Sequence, residues 1–200
     1  MKNHVQYVKD KLMESINSLE SLKGMYVLHE DKDFTRTRKL PFSAMIKLIL
    51  EMQGNTLGHE LRHYFSFDLA TPTVSAFVQR RSLISSDAFL YLFHAFNSAV
   101  PSKNLFEGYR LVACDGSDLN IARNPNDKEN YFQSNPGEKG FNLLHLNALY
   151  DLCSKRYLDA LIQPGRKENE FRAICQMADR FPCPGKTIFI ADRGYESYNS

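Results

Sequence analysis

Asp115 and Asp192 are the residues of this 200-residue sequence whose setting could support chemistry. Each ends a short apolar run, Leu111-Val112-Ala113-Cys114 in one case and Ile188-Phe189-Ile190-Ala191 in the other, and a glycine follows within two residues. An apolar run of that length closed by a turn signal reads as a buried strand. A carboxylate at the end of a buried strand is costly unless it is paired, hydrogen-bonded or metal-bound. Two such carboxylates side by side repel each other, and a divalent cation removes that penalty. Mg2+ or Mn2+ suits the pair, because both prefer oxygen ligands and are often held by one or two carboxylates plus substrate phosphates. The chemistry would be metal-assisted phosphoryl transfer, with the attacking and leaving oxygens clamped by the metal.

That chemistry requires the two strands to be neighbours. The second half of the sequence reads as strand (109–114), long polar connection (123–142), strand (143–152), strand (157–163), helix (167–181) and strand (186–191). Phe171, Ile174, Cys175 and Ala178 are the expected inner face of that helix. Three successive strands favour antiparallel pairing, and a helical crossover before the last strand favours a parallel one. This order matches the start of a ribonuclease-H-like fold, in which the fourth strand lies beside the first. Asp115 and Asp192 would then meet across 77 residues of sequence.

The first half has a different pattern. Val5, Val8, Leu12, Ile16 and Leu19 recur at helical spacing. Further helices are expected at 41–53 (opened by Pro41), 57–67, 73–81 and 87–100. The expected organisation is an all-helical domain over 1–104 followed by an α+β domain with a mixed sheet over 105–200. Residues 1–110 carry 14 basic against 11 acidic side chains, and residues 111–200 carry 11 against 12. A mildly basic first part suits a binding role and a faintly acidic second part suits a catalytic one. Arg80 and Arg81 sit where a short helix, a turn and a longer helix outline a helix-turn-helix. Arg36, Arg38 and Lys39 form a second basic spot, and Arg193 follows Asp192 directly. All six are candidate phosphate contacts, against solvated surface cations as the plain alternative. Asp118 reads as a solvated turn acid or a helper carboxylate, and His145 as a core or edge histidine.

Cys114, Cys153, Cys175 and Cys183 form no C-x-x-C pair and read as thiols of a reducing compartment. The first ten residues are polar, and no apolar run approaches the roughly 20 residues that span a bilayer. The expectation is a cytoplasmic protein with no membrane partner.

Four stretches resemble the DDE transposases of bacterial insertion sequences, in the insertion-sequence-four group. They are Asp-Phe-Thr-Arg-x-Arg-Lys-Leu (33–40), Thr-x-Ser-Ala-Phe-x-x-x-Arg (73–81), Ala-Cys-Asp-Gly-Ser (113–117) and Ile-Ala-Asp-Arg-Gly-Tyr-Glu-Ser (190–197). The resemblance implies a ribonuclease-H-like catalytic domain that cuts and joins double-stranded DNA at transposon ends and in the target. It implies Mg2+ as cofactor, Asp115 and Asp192 as the first two catalytic acids, and a homodimer in the DNA complex. The family's third acid is a glutamate in a Tyr-x-x-Arg-x-x-x-Glu-x-x-x-x-x-x-Lys block on a later helix. No such block stands between Asp192 and Ser200, and Glu196 lies too close to Asp192 to replace it. The expectation is therefore a C-terminally truncated transposase that is inactive alone. The alternative is a non-catalytic, DNA-binding transposase remnant. A phosphatase-like aspartyl nucleophile would need an acid two residues after Asp115, where Ser117 stands.

Overall fold

A computed structural model of the chain describes residues 2–36, 39–101, 104–181 and 185–192. The chain divides into two compact units, 1–101 and 102–200.

The described part of the first unit contains five α-helices: α1 (Lys2–Ser21), α2 (Phe42–Glu51), α3 (Leu57–Tyr64), α4 (Val74–Arg81) and α5 (Asp87–Ala99). Its core takes Ile16 and Leu19 from α1, Phe42, Met45, Ile46 and Leu48 from α2, Leu61 from α3, Phe77 from α4, and Ala88 and Leu92 from α5. Burying each large side chain is worth about 1.5–3 kcal/mol. Pro41 occupies the N-cap of α2, and the Thr73 hydroxyl caps α4 by accepting from the Ala76 N–H. Helix α3 stops at Tyr64, short of the expected Phe67, because Ser66 and Phe67 adopt positive φ angles of 53° and 60°. The turn between α4 and α5 is fixed to the segment after α1. The Leu28 N–H donates to the Leu83 carbonyl at 3.0 Å, and the Ser85 N–H donates to the Tyr26 carbonyl at 2.9 Å.

The second unit has the sheet strands β1 (Arg110–Ile121), β2 (Tyr131–Phe132), β3 (Phe141–Asp151), β4 (Arg156–Pro164) and β5 (Thr187–Ala191), with α6 (Glu170–Arg180) between β4 and β5. β3 lies between β1 and β4, antiparallel to both, and the short β2 pairs with the start of β3. β5 runs parallel to β1 on its other side. This is the ribonuclease-H-like α+β order expected from the sequence: a three-strand meander, a helix, and a strand beside the first. Val112, Cys114, Leu149 and Leu158 form the sheet's side of a small core, which Ala173 and Met177 of α6 close.

Three expectations need correction. Asp115-Gly116 is not a turn at a strand end: β1 continues to Ile121, because β3 supplies partners as far as the Ile121↔Asn142 pair. The inner face of α6 is Ala173 and Met177, with Ile174 and Phe181 beside them, whereas Phe171 and Cys175 are exposed. Both ends of the helix set this phase. The Asn169 side chain caps its start, and the Arg180 guanidinium grips buried Asp159 of β4 through two bonds of 2.5 and 3.1 Å. Finally, β5 is not a buried strand. Ile188, Phe189 and Ile190 are 39–44% exposed, since among the described residues only β1 flanks it.

Within the helical unit, the buried Glu60 carboxylate accepts from the backbone N–H groups of Asn55 and Gln53 at 2.8 and 3.0 Å. These bonds, that from Asn55 foremost, hold its pKa below the ordinary carboxyl range. A lowered folded pKa stabilises the fold fully above the unfolded value of about 4.3, and the contribution disappears as pH falls through the folded value. Glu60→Gln should therefore lower the urea midpoint at pH 7, and the gap to wild type should close in acid. A gap of constant size between pH 7 and pH 3 would refute this account.

Candidate functional site

β1 is flanked by β5 only as far as the pair Cys114↔Ala191. The residue after each member of that pair is an aspartate, Asp115 and Asp192, and both are exposed. Past this point, among the described residues, β1 keeps only β3 as a neighbour. The Gly116 N–H donates to Asp115 Oδ1 at 2.9 Å. Strand residues alternate between faces, and Ala113, Asp115 and Ser117 share the face opposite α6. There they line a groove of about 520 Å³ together with Tyr150, Lys155 and Tyr157. The Tyr150 and Tyr157 rings meet edge to face, with centroids 5.1 Å apart. The groove therefore combines a carboxylate, a hydroxyl, an ammonium and two aromatic rings.

The other parity of β1 serves the face under α6. Val112 and Cys114 are buried there, and Gly116 and Asp118 follow them along the same face. His145 of β3 is the register partner of Asp118 and is only 7% exposed. Its Nδ1 lies 3.0 Å from Asp118 Oδ1 and 3.4 Å from Glu168 Oε2, while its Nε2 lies 3.3 Å from Glu170 Oε1. Gln163 of β4 binds the main chain of Asn169, the residue between the two glutamates. Its side-chain amide donates to the Asn169 carbonyl at 3.2 Å and accepts from the Asn169 N–H at 3.0 Å. Gly116 leaves the room this cluster needs, since a Cβ there would stand 2.6 Å from His145 Nε2 and 2.7 Å from Glu170 Oε1.

Sequence reasoning placed His145 in the core or at an edge and did not connect it with Glu168 or Glu170. The available signal was parity. Asp118 is three residues from Asp115 and so belongs to the opposite face of any strand that contains both, but reading Asp-Gly as a turn hid that strand.

The basic candidates are differently engaged. Arg80 gives its Nε and Nη2 to the Leu40 carbonyl at 3.3 and 3.1 Å and lies 3.8 Å over the buried Phe34 ring. Lys39 donates to the Ala70 carbonyl at 2.8 Å, and it lines with Arg80 a groove of about 500 Å³ beside Thr71–Thr73. Arg81 is exposed above Phe77, and Arg36 is exposed. Arg38 and Arg193 lie outside the described residues.

The second unit is thus a ribonuclease-H-like α+β domain with two aspartates directly following a shared register pair of parallel strands. Residues 106–199 are similar to the family model described as "Transposase DDE domain". No curated protein and no solved structure matches the chain. No helix among the described residues is long and apolar enough to cross a membrane.

Gly116→Ala should cost about 1–2 kcal/mol in urea unfolding, because a methyl group must displace His145 or Glu170. Ser117→Ala, one residue on and on the open face, should cost less than about 0.5 kcal/mol. Equal losses at the two positions would contradict the packing described.

Proposed function

We propose that this chain belongs in the cytoplasm to a DNA transposase of the DDE type, in the insertion-sequence-four group, whose reaction cuts and joins double-stranded DNA at transposon ends, and that residues 1–200 alone do not carry out that reaction because they lack the third-acid block. Asp115 and Asp192 are the metal-holding carboxylates of that reading, two of the three acids that the resemblance implies. The observation that carries it is the register: the parallel pair Cys114↔Ala191 is followed on both strands by an aspartate. The donor set fits Mg2+ or Mn2+, being oxygen only, exposed, and open to a phosphate on one side. When bound, such an ion supplies charge stabilisation for in-line attack on a phosphodiester.

The chain's own residues do the positioning. Main-chain pairing fixes where the two carboxylates start, and the Gly116 N–H tethers one oxygen of Asp115. Lys155 offers a phosphate contact along the groove, and Tyr150 and Tyr157 offer aromatic surface to an unstacked base. In the helical unit, Arg36, Arg38, Lys39, Arg80 and Arg81 are the proposed backbone contacts, and Arg193, the residue after Asp192 in the sequence, is a further one. Arg80, bonded to Leu40 and stacked on Phe34, lines with Lys39 the groove beside Thr71–Thr73. A homodimer in the DNA complex belongs to the same reading.

The test is an amide NMR titration of the full chain with Mg2+, followed by a duplex-binding assay across a salt series. Mg2+ should shift the amides of Asp115, Gly116 and Asp192, and Asp115→Asn should abolish those shifts. Duplex affinity should fall steeply with salt and should drop several-fold in Lys39→Gln and Arg81→Gln. Unmoved amides together with no duplex binding would sink the proposal.

A further inference from the structure

We propose that Asp118, His145 and Glu168 bind a divalent first-row transition ion of the Zn2+ class on the α6-covered face of the sheet, with Glu170 orienting the imidazole. The site is separate from the Asp115–Asp192 pair, because Asp118 and Asp115 have opposite parity on β1 and so face opposite sides of the sheet.

The first argument is a mismatch in proton count. Two carboxylates converge on one ring nitrogen, His145 Nδ1, at 3.0 and 3.4 Å. A ring nitrogen carries at most one hydrogen, so it can satisfy one of these acids well and leaves the other facing an electron-rich atom. A cation among the three atoms satisfies all of them. One oxygen of each acid and the imidazole nitrogen lie within 4.8 Å of one another. Donors about 2.0–2.1 Å from a tetrahedral zinc stand roughly 3.3–3.4 Å apart, so small side-chain adjustments suffice.

The second argument comes from the other nitrogen. His145 is more than nine-tenths buried, and its Nε2 has no hydrogen-bond partner, although Glu170 Oε1 stands 3.3 Å away. A metal on Nδ1 forces the ring proton onto Nε2. That proton then points toward a carboxylate, as the outer nitrogen of a metal-bound histidine usually does. The cluster thus has three candidate ligands and the outer partner that such a ligand requires.

The ligand chemistry selects the ion. An imidazole nitrogen with two carboxylates suits Zn2+ and its first-row neighbours, while Mg2+ favours all-oxygen surroundings. Asp118 and Glu168 are each about half exposed, with side chains at 54% and 52%, so the ion has an entry path and room for a water ligand. Gln163 fixes Asn169 between Glu168 and Glu170, so the ion would tie β1 and β3 to the start of α6.

The experiment uses the full chain carrying Asp115→Asn and Asp192→Asn, so that the other acid pair cannot hold the metal. Zn2+ binding is read by equilibrium dialysis and by the side-chain nitrogen resonances of His145. Expected are one Zn2+ per chain, a shift of Nδ1 with Nε2 remaining protonated, and a higher melting temperature on loading. Asp118→Asn and Glu168→Gln, at exposed carboxylates that folding tolerates, should each weaken binding at least about tenfold. Excess Mg2+ should not displace the zinc. The proposal fails if His145 resonances ignore Zn2+, if both variants bind as tightly as their parent, or if Mg2+ displaces the ion. None of these readouts depends on DNA cleavage, so this site and the transposase reading can fail separately.

Discussion

The second unit depends on the unequal lengths of the two strands that flank β1. β3 accompanies β1 through the Ile121↔Asn142 pair, whereas the register with β5 ends at Cys114↔Ala191. The residues of β1 up to Cys114 therefore have a strand on both sides, and those beyond it have, among the described residues, a strand on one side. A carboxylate placed before that step would lose its hydration, and one placed well after it would have no companion strand. Asp115 is the first residue past the step, and Asp192 is its counterpart on the shorter strand. Backbone hydrogen bonding, which is insensitive to side-chain identity, thus determines where charge is admitted.

The same strand divides two kinds of environment. One face carries an open groove with Asp115, Ser117, Lys155 and two tyrosines. The other carries a small apolar core under α6, and past it a buried imidazole among three acids. Helix α6 links these regions to the rest of the unit at both ends. Arg180 grips Asp159 near the core, and Asn169 caps the start, where Gln163 binds its main chain. Charges at the helix start are favoured there as anions, since Glu168 and Glu170 lie near its positive end.

Strand order was legible in the sequence because apolar runs, a helix and polar connections alternate in a pattern that few topologies satisfy. The helical first unit was legible for a similar reason: positions such as Ile16, Leu19, Met45 and Ile46 recur at helical spacing and all proved buried. Three features were not legible. Asp-Gly has strong turn propensity, yet it lies within β1, because ten successive pairs with β3 outweigh a local preference. The phase of α6 followed its end contacts with Asn169 and Asp159, so Phe171 and Cys175 face water although Ile174 of the same apolar pattern packs against the core. The partners of Arg80 could not be found from charge alone, because its guanidinium reaches a main-chain carbonyl 40 residues earlier in the sequence.

Gly116 illustrates how tightly the two faces constrain each other. Side chains on a strand alternate, so a one-residue insertion or deletion in β1 before Asp115 would exchange the faces of every residue after it. The carboxylate of Asp115 would turn under α6, toward His145, Glu168 and Glu170, while Asp118 would leave that face, and the vacant space over Gly116 would be lost to a side chain. A two-residue change would preserve the faces and only shift positions along the strand. Length variation in this segment is therefore tolerable in steps of two, so the strand acts as a parity check on its own reading frame in space.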